Sequence, residues 1–393
     1  MCAAYRVSAR THRFARARCR VHRHDRFENN RSALLTCHSA AFNIRREEGA
    51  TTTGSEVKQP WFETPPKITV SITATCNLRC KQCYADCTAK PRKNELATAE
   101  WLRFIDYLVD NGFIQLYIEG GEPLYRSDFD TILQACARRM MTLVRTHGTL
   151  LTPARARKLK ALGVGRLFID LMGATAATHD ELAGVPGSFD KTCGGVENAL
   201  AAGIPTDVVL ILTRRNVGEL QAYLELARAL GAGRAAVLRL YPLGRAKENW
   251  SELALSLEEQ QAAVAGLKVP KGLGLMQSWH PNDANCCWQA AAVDPFGNSI
   301  GCMYLREYVR FGNIRKTPFL DTWHGDPLYR QLRSGDVDAA CSGCAQHEST
   351  RGGCRSTAYA FTGSWTAPDP FCTESNGGID LRVLPERLLR ART

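Results

Sequence analysis

The chain has 393 residues, 45% of them hydrophobic, which is enough for two domains or for one large domain with an appendage. Residues 1–55 hold eleven Arg, no Lys and four acidic residues, so this segment carries a net charge of +7 and the other 338 residues only +4. So small an excess of positive charge outside residues 1–55 argues against a nucleic-acid partner. The sequence has no run of about 18 apolar residues, so we predict no membrane-spanning helix.

Residues 1–55 show no hydrophobic period, and we leave them out of the predicted fold. Their Arg-rich composition resembles an organelle transit peptide, but a disordered tail or a start codon assigned too far upstream explains it as well, and we prefer these two. The sixteen cysteines include C-x3-C and C-x2-C spacings, which favour metal ligation over disulfides. We therefore expect a reducing compartment and a cytoplasmic protein.

From residue 67 onward, short β-rich runs alternate with helical patterns. We predict strands at 67–72, 113–118, 140–146, 166–171, 206–212 and 235–241. We predict helices near 98–111, 128–138, 153–162, 189–202 and 216–230, with capping residues at Thr98, Thr152 and Asn216. This order predicts an α/β fold whose parallel sheet is open or curled into a barrel, with its chemistry at the carboxyl ends of the strands.

Three cysteines follow the first predicted strand in the segment TCNLRCKQCY: Cys76, Cys80 and Cys83. Structural zinc and ordinary iron–sulfur sites take four protein ligands, so three thiolates in one loop predict a metal centre with one open position. The second predicted strand ends in EGGEPL, where Gly120 and Gly121 allow the backbone to approach a ligand closely.

The C-x3-C-x2-C spacing of CNLRCKQC resembles that of the radical S-adenosylmethionine (SAM) superfamily. The resemblance implies a partial (β/α)6 TIM-like barrel and a [4Fe–4S] cluster on the three cysteines, whose open iron binds SAM. Reduction of such a cluster cleaves SAM to a 5′-deoxyadenosyl radical. EGGEPL resembles the superfamily motif for the SAM ammonium group, which implies cofactor contacts at Gly120, Gly121 and Glu122.

Other positions depart from the family pattern. DLMGAT has Asp170 where relatives often carry Ser, and its carboxylate either accepts hydrogen bonds from the SAM ribose or caps the strand end. Gln82 stands where an aromatic residue or His commonly precedes the third cysteine, and His147 stands where Asn is frequent. Arg214 or Arg215 of LTRRN is a candidate contact for the SAM carboxylate.

The region after residue 256 resembles the SPASM extension of peptide-modifying radical SAM enzymes, which houses auxiliary clusters. Seven cysteines lie in it: Cys286, Cys287, Cys302, Cys341, Cys344, Cys354 and Cys372. By the family's ligand sharing, Cys302 and Cys354 hold an inner cluster together with one or both of the adjacent pair at 286 and 287. The outer cluster is then left with Cys341, Cys344 and Cys372.

Thr350 stands where the SPASM pattern has a further cysteine. Threonine is a poor iron ligand beside a thiolate, so the outer cluster either has an open iron, which we favour, or is degraded or absent. A zinc ribbon at CSGC is a third interpretation. These features divide the chain into an N-terminal extension (1–55), a radical SAM core (60–255), a SPASM domain (256–375) and a tail (376–393).

The segments TRRN, DPFG, SGC…RGGC and FTG…DPFC are most similar to mycofactocin-type maturases, which oxidatively modify the C-terminus of a peptide. The resemblance implies a peptide substrate, a low-potential electron donor and auxiliary clusters that relay electrons or bind substrate. Residues 56–66 are too short for a peptide-recognition domain, so a separate recognition protein is implied, unless the substrate is a small molecule. The alternatives are a tetrapyrrole, as in haem-type side-chain decarboxylation, a sulfatase active-site residue, or a non-catalytic iron–sulfur electron carrier.

Overall fold

The structure, a computed structural model, describes residues 63–279, 290–334, 336–338, 341, 343–344 and 351–389. The N-terminal extension, Cys286, Cys287 and Thr350 lie outside the described residues, so the predictions made for them stay predictions. No helix within the described ranges is long and apolar enough to cross a membrane.

A parallel sheet organises the fold. Its six central strands are β1 (Lys67–Ser71), β2 (Gln115–Glu119), β3 (Met141–Thr146), β4 (Arg166–Asp170), β5 (Thr206–Ile211) and β6 (Arg234–Leu238). They lie side by side in chain order, each parallel to the next. The predicted α/β class is confirmed, and the limits of every strand fall within three residues of the predicted ones.

Helices return the chain from the end of each strand to the start of the next. They are α1 (Thr98–Asp110), α2 (Phe129–Cys136), α3 (Pro153–Leu162), α4 (Ala176–Ala183), α5 (Ser188–Ala201) and α6 (Leu220–Ala229). α1 buries Trp101, Phe104 and Leu108, a spacing that places all three on one face. α3 begins as predicted, because Thr152 accepts a hydrogen bond from the backbone N–H of Arg155.

The predicted cap at Thr98 is wrong, and Asn216 begins a short 3-10 turn (Val217–Glu219) that leads into α6 rather than α6 itself. Thr98 belongs to the first turn of α1, and the turn is closed by Glu100, whose carboxylate accepts from the backbone N–H of Ala97 at 2.8 Å. Asn216 makes no capping hydrogen bond with its side chain. Its amide donates to the carbonyl of Met172 at 2.9 Å and so ties the segment after β5 to the end of β4.

The sheet extends beyond the six strands at both edges. α7 (Gly244–Glu248), α8 (Trp250–Leu253) and α9 (Leu257–Ala265) lead to β7 (Gly274–Gln277), which is parallel to β6. At the other edge β8 (Ala292–Val293) pairs with β1, followed by β9 (Asn298–Ser299) and β10 (Gly312–Asn313). Residues 256–279, assigned to the SPASM domain from sequence, therefore contribute a strand to the sheet of the core.

Within the described ranges, the Cys-rich region (residues 286–375) contains the helices α10 (Phe319–Gly325), α11 (Pro327–Ser334) and α12 (Arg355–Thr362), and the tail contains α13 (Glu386–Leu389). The described part of the tail packs onto the rest of the chain. Leu381 and Leu388 are buried, and the indole N–H of Trp250 donates to the carbonyl of Leu381 at 2.9 Å. α8 and the tail are therefore held together by both apolar burial and a buried hydrogen bond.

Candidate active site

A cavity with about 750 Å³ of protein-free space lies at the carboxyl ends of the central strands. Its wall includes Cys76, Cys80 and Cys83. Side chains from the ends of β2, β3, β4 and β5 complete the wall, at the edge where parallel α/β folds carry their sites. The structure therefore brings the three predicted cluster cysteines to one cavity.

Backbone hydrogen bonds hold the cysteine loop in place. At its base, the N–H of Cys76 donates to the carbonyl of Thr88 at 2.9 Å, in a short parallel bridge between residues 75 and 88. Farther along, the N–H of Arg79 donates to the carbonyl of Ala183 at 3.0 Å, so the last turn of α4 supports the loop from the side. Helix α4, which the sequence analysis did not predict, is therefore a structural part of the site.

Gly120 and Gly121 line the cavity, but the structure adds a second reason for the pair. A Cβ on Gly121 would lie 2.1 Å from the carbonyl oxygen of Thr75, and one on Gly120 would lie 2.6 Å from that of Thr73. The N–H of Gly121 donates to the same Thr73 carbonyl at 2.7 Å. The glycines therefore let the end of β2 pack directly on the strand that enters the cysteine loop.

Glu122 is fully buried and is not part of the cavity wall. Its carboxylate accepts hydrogen bonds from the Thr146 hydroxyl at 2.8 Å, from the His147 N–H at 3.0 Å and from the Leu124 N–H at 2.9 Å. The His147 ring in turn contacts the side chain of Asn77 in the cysteine loop at 2.9 Å. In this structure Glu122 joins the ends of β2 and β3 and, through His147, supports the loop.

Asp170 lines the cavity and is paired with Arg145 of β3, the Nη2–Oδ1 distance being 2.9 Å. Tyr84, directly after the third cysteine, donates its hydroxyl to the Glu119 carboxylate at 2.7 Å. Arg306, from the Cys-rich region, reaches the same carboxylate at 3.5 Å. Burial raises the pKa of Glu119. Two acids of the cavity wall, Glu119 and Asp170, are therefore each paired with an arginine, and the arginine that reaches Glu119 comes from the Cys-rich region.

Arg245 of α7 also lines the cavity. Its Nε donates to the carbonyl of Cys80 at 3.0 Å and its Nη1 to the carbonyl of Cys87 at 2.7 Å. Two further bonds reach the loop from this helix and the residue directly after it: the N–H of Ala246 donates to the Cys83 carbonyl, and the Asn249 amide donates to that of Lys81. The cysteine loop is thus clamped between α4 and α7.

The three thiols differ in acidity. Burial raises the pKa of Cys76 to about 12 and that of Cys80 well above its usual range. A hydrogen bond from Cys87 lowers the pKa of Cys83 to about 5, against the effect of burial. The positive charge of Arg245 lowers the pKa of all three thiols. Because iron binds the thiolate form, this cation favours ligation.

Two buried polar atoms of the cavity wall have no hydrogen-bond partner within the described residues: Oε1 of Gln82 and Nε2 of His179. His179 Nδ1 accepts from the backbone N–H of Met172 at 3.0 Å, so Nε2 carries the proton and is a donor. An unpaired buried polar group costs about 1–3 kcal/mol. An acceptor and a donor left open in one cavity fit a polar ligand such as SAM.

No group of three or more His, Cys, Asp or Glu side chains in the described ranges is arranged to hold a single metal ion. Cysteine thiolates are the usual protein ligands of iron–sulfur clusters. The three cysteines of the cavity wall are therefore a donor set that fits such a cluster.

Arg214 is not brought to the cavity. It is exposed, and its Nη2 donates to the carbonyl of Ala254 at 2.9 Å. Arg215, the other candidate, is also exposed and pairs with Glu181 and Glu252 at 3.4 and 3.6 Å. The guanidinium groups in the cavity wall are those of Arg145 and Arg245 instead.

The Cys-rich region places both Cys344 and Cys372 within electrostatic reach of Cys341. Burial raises the pKa of Cys341, and the charges of the other two add to this effect. Cys354 begins α12, and its N–H donates to the Asp369 carboxylate at 2.8 Å. Cys302 is half-buried just before a short 3-10 turn at 303–305. The inner set cannot be completed from these residues, since positions 286 and 287 lie outside the described ranges.

The sequence analysis missed Arg245, His179, Glu119 and Arg306. Glu119 carried a signal, because it directly precedes the Gly-Gly pair at a strand end. Arg245 lies in PLGRAK after the sixth strand, where a glycine followed by a cation suggests a close approach of the backbone. No sequence signal pointed to Arg306, because only the folded chain brings this residue next to β2.

Two family models match the chain: the radical SAM superfamily over residues 70–227 and the SPASM iron–sulfur cluster-binding domain over residues 286–345. The AdoMet-dependent heme synthase of Methanosarcina barkeri is 32% identical, the match covering 78% of this chain and 96% of that protein. The mycofactocin maturase MftC of Mycolicibacterium smegmatis is also 32% identical, and the match covers 83% of this chain and 88% of that protein.

Among solved structures, Streptococcus suis SuiB bound to S-adenosylmethionine superposes on this chain with a TM-score of 0.64. The sequence identity is 17%, and the match covers 79% of this chain and 78% of SuiB. At 17% sequence identity this similarity establishes a shared fold alone.

Proposed function

We propose that this chain, which belongs to the radical SAM superfamily and carries a SPASM domain, generates its radical in the cavity lined by Cys76, Cys80 and Cys83. The chain uses SAM, a [4Fe–4S] cluster and auxiliary iron–sulfur clusters as cofactors. The single observation that carries the proposal is the meeting of three thiols with the twin-glycine turn at one cavity.

The residues around the cavity have separate tasks in this proposal. Cys76, Cys80 and Cys83 would hold the cluster, which would supply the electron for the reductive cleavage of SAM and so for removal of a hydrogen atom from the substrate. The backbone of Gly120–Gly121 would face the SAM ammonium group. Gln82 and His179 offer their open acceptor and donor to SAM.

Asp170 is our candidate for the ribose hydroxyls, with Arg145 fixing its carboxylate from the neighbouring strand. Both oxygens of Asp170 lie within 3.2 Å of Arg145 Nε, and the Asp170 side chain is 24% exposed, so it remains accessible from the cavity. Glu122 acts from behind the wall by holding His147 and the cysteine loop. We assign the SAM carboxylate to a cavity guanidinium rather than to Arg214.

We propose a ribosomally made peptide as the substrate, oxidised near its C-terminus. Relatives named mycofactocin maturase and PqqA peptide cyclase support this class. The auxiliary clusters would accept the electron that the substrate loses, and a low-potential donor would reduce the radical-generating cluster. We further propose a separate peptide-recognition protein and a cytoplasmic location, in which the many thiols stay reduced.

A second candidate is oxidation of a tetrapyrrole side chain. The observation in its favour is the AdoMet-dependent heme synthase of Methanosarcina barkeri, 96% of whose length this chain covers. Both candidates use the same radical generator and differ only in what enters the cavity. The first test below therefore applies to both candidates, and the second test distinguishes them.

The first test is SAM cleavage. Anaerobically reconstituted, reduced protein should convert SAM to 5′-deoxyadenosine, and the triple variant Cys76→Ala, Cys80→Ala, Cys83→Ala should not. Cys193→Ala is the matched control, because this half-buried cysteine lies on α5, outside the cavity wall. Retained cleavage in the triple variant would contradict the assignment of the cluster ligands. A protein that never cleaves SAM would instead support the non-catalytic iron–sulfur electron carrier, the last alternative named in the sequence analysis.

The second test offers the wild type two substrates in parallel: a precursor peptide encoded beside its gene, and a tetrapyrrole with carboxylate side chains. A mass change in the peptide, in step with 5′-deoxyadenosine formation, supports the peptide proposal. The same result with the tetrapyrrole alone would replace the peptide proposal with the second candidate.

A further inference from the structure

Arg245 is a cation from outside the cysteine loop that hydrogen-bonds directly to the loop backbone. Its guanidinium donates to the carbonyls of Cys80 and Cys87, on both sides of the third cysteine, and its side chain is only 18% exposed. These two hydrogen bonds reach the backbone of the second cysteine and of residue 87, so the position of Arg245 concerns the loop as a whole rather than one ligand.

The backbone before Arg245 shows that this approach is built into the fold. Gly244 has φ +50°, and a Cβ there would lie 2.7 Å from the carbonyl oxygen of Cys83 and 2.9 Å from the Asp86 nitrogen. Only glycine permits α7 to come so close to the loop in that conformation. Glu307 fixes the other side of the helix by accepting from the Gly244 N–H at 2.6 Å.

Nearby anions neutralise only part of the positive charge of Arg245. Asp86 is the carboxylate within ion-pair range of Arg245, at 3.8 Å, and its side chain is half exposed. Asp86 also pairs with Arg92 at 3.5 Å. Exposed charges are screened by solvent, whereas the face of Arg245 that meets the loop is shielded from it. The field of Arg245 therefore acts mainly on the buried side.

A charge at this place bears on the reduction of the cluster. Three thiolates outweigh the positive charge of an oxidised [4Fe–4S] core, so the ligated cluster is an anion, and an added electron increases its negative charge. Reduction potentials of such clusters depend on net charge, on hydrogen bonding and on solvent exposure. A fixed cation beside the loop stabilises the reduced state more than the oxidised state.

We infer that Arg245 is a positioning residue that raises the reduction potential of the radical-generating cluster by placing a fixed positive charge against the Cys76–Cys87 loop. The inference rests on the proposed assignment of the cluster to this loop. It needs no substrate. A failure to modify a peptide would therefore count against the proposed function and leave this inference intact.

The test compares Arg245→Gln, which removes the charge, with Arg245→Lys, which keeps the charge but not the forked hydrogen bonds. Lys247→Gln is the matched control: it removes a cation from the same helix that pairs with Glu307 at 2.5 Å and does not line the cavity. The full-length reconstituted proteins are titrated redox-potentiometrically by electron paramagnetic resonance. The radical-generating cluster is recognised as the signal that changes when SAM is added.

At a fixed potential, we expect the ratio of reduced to oxidised cluster to fall about tenfold in Arg245→Gln, a shift of about 59 mV for one electron. Arg245→Lys should stay within about threefold of the wild type, and Lys247→Gln should be unchanged. Failure of Arg245→Gln to load the cluster, with a normal ratio in Arg245→Lys, also supports the role of the charge. An unchanged ratio in Arg245→Gln overturns it, as do equal defects or equal failure to load in the Gln and Lys variants.

Discussion

Arg239 and Asp369 form a buried ion pair that joins the core to the Cys-rich region. Arg239 follows β6, its Nη1 lies 2.6 Å from Asp369 Oδ2, and the two side chains are 2% and 3% exposed. The guanidinium also lies over the Phe371 ring, 4.7 Å from its centre. Asp369 accepts from the N–H groups of Cys354 and Phe371, so one carboxylate holds the backbone of one predicted cluster ligand and of the residue directly before another, Cys372.

We predict that Arg239→Met lowers the free energy of unfolding by about 3–5 kcal/mol, because it leaves the Asp369 carboxylate buried without its charge partner. The control is Arg382→Met, which breaks an exposed pair with Asp380 and should change the free energy of unfolding little, because solvent screens that pair. Urea-induced unfolding of the anaerobic full chain measures both. Similar losses in the two variants would contradict the importance of burial for this pair.

Gly121→Ala should disrupt the site. The added methyl would lie 2.1 Å from the Thr75 carbonyl, a backbone group that cannot rotate away, so the entry to the cysteine loop must move. We expect loss of the SAM-responsive cluster and a lower unfolding midpoint. Gly194→Ala is the control: it lies in α5 with nothing near its Cβ position, and should stabilise the protein by about 0.5–1 kcal/mol. A fully loaded Gly121→Ala protein would show that the loop tolerates the shift.

The parts of this fold that sequence predicts are those fixed by local chemistry. Short apolar runs rich in β-forming residues predict the strands. The cap of α3 is predictable because Thr152 and the N–H that it accepts from lie within one turn of each other. The three cysteines are placed by one loop that directly follows β1. In each case the residues that decide the structure are close neighbours in the chain, so the pattern and its physical cause coincide.

The rest depends on distant contacts. Arg245 meets Cys80 across 165 positions, and Arg306 meets Glu119 across 187, so no local pattern predicts either. Arg214 was chosen by analogy with a carboxylate contact, but its guanidinium is held by the carbonyl of Ala254. The Gly-Gly pair was predicted for the approach of a ligand, whereas the nearest atoms to its missing side chains belong to residues 73 and 75 of the chain itself.

His179 should make stability depend on pH. Burial lowers its pKa from 6.5 to about 4; Asp180 opposes this effect and His147 adds to it. The unfolded chain therefore takes up a proton that the folded chain refuses, so stability falls as the pH drops from about 6.5 towards 4 and does not fall further below that. Between pH 7 and pH 5.5, the wild type should lose about 1 kcal/mol more than His179→Gln.

Urea unfolding of both proteins at the two pH values measures this difference. The other histidines and the carboxylates are common to both proteins, so their titration cancels in the comparison. Equal pH dependence in the two proteins would show that His179 is protonated as readily in the folded as in the unfolded chain. A reversed difference would mean that a neighbour such as Asp180 dominates over burial.

The last prediction concerns the outer auxiliary cluster. Cys341 is buried, and the N–H of Cys344 donates to its carbonyl at 3.1 Å, so these two thiols start from one tight turn, and Cys372 is close enough to influence Cys341. Three thiolates can hold a cluster with one open iron. We therefore expect about eleven to twelve irons in the wild type and about eight in Cys341→Ala.

Iron analysis of the anaerobically reconstituted proteins tests this, with Cys193→Ala expected to match the wild type. Thr350→Cys supplies a fourth thiol, so it should keep about twelve irons and lose the outer cluster to a chelator more slowly, because a thiolate binds iron more firmly than a hydroxyl does. A wild type with about eight irons, unchanged in Cys341→Ala, would mean that no outer cluster forms. An open iron at that cluster would then have no part in substrate binding or electron transfer.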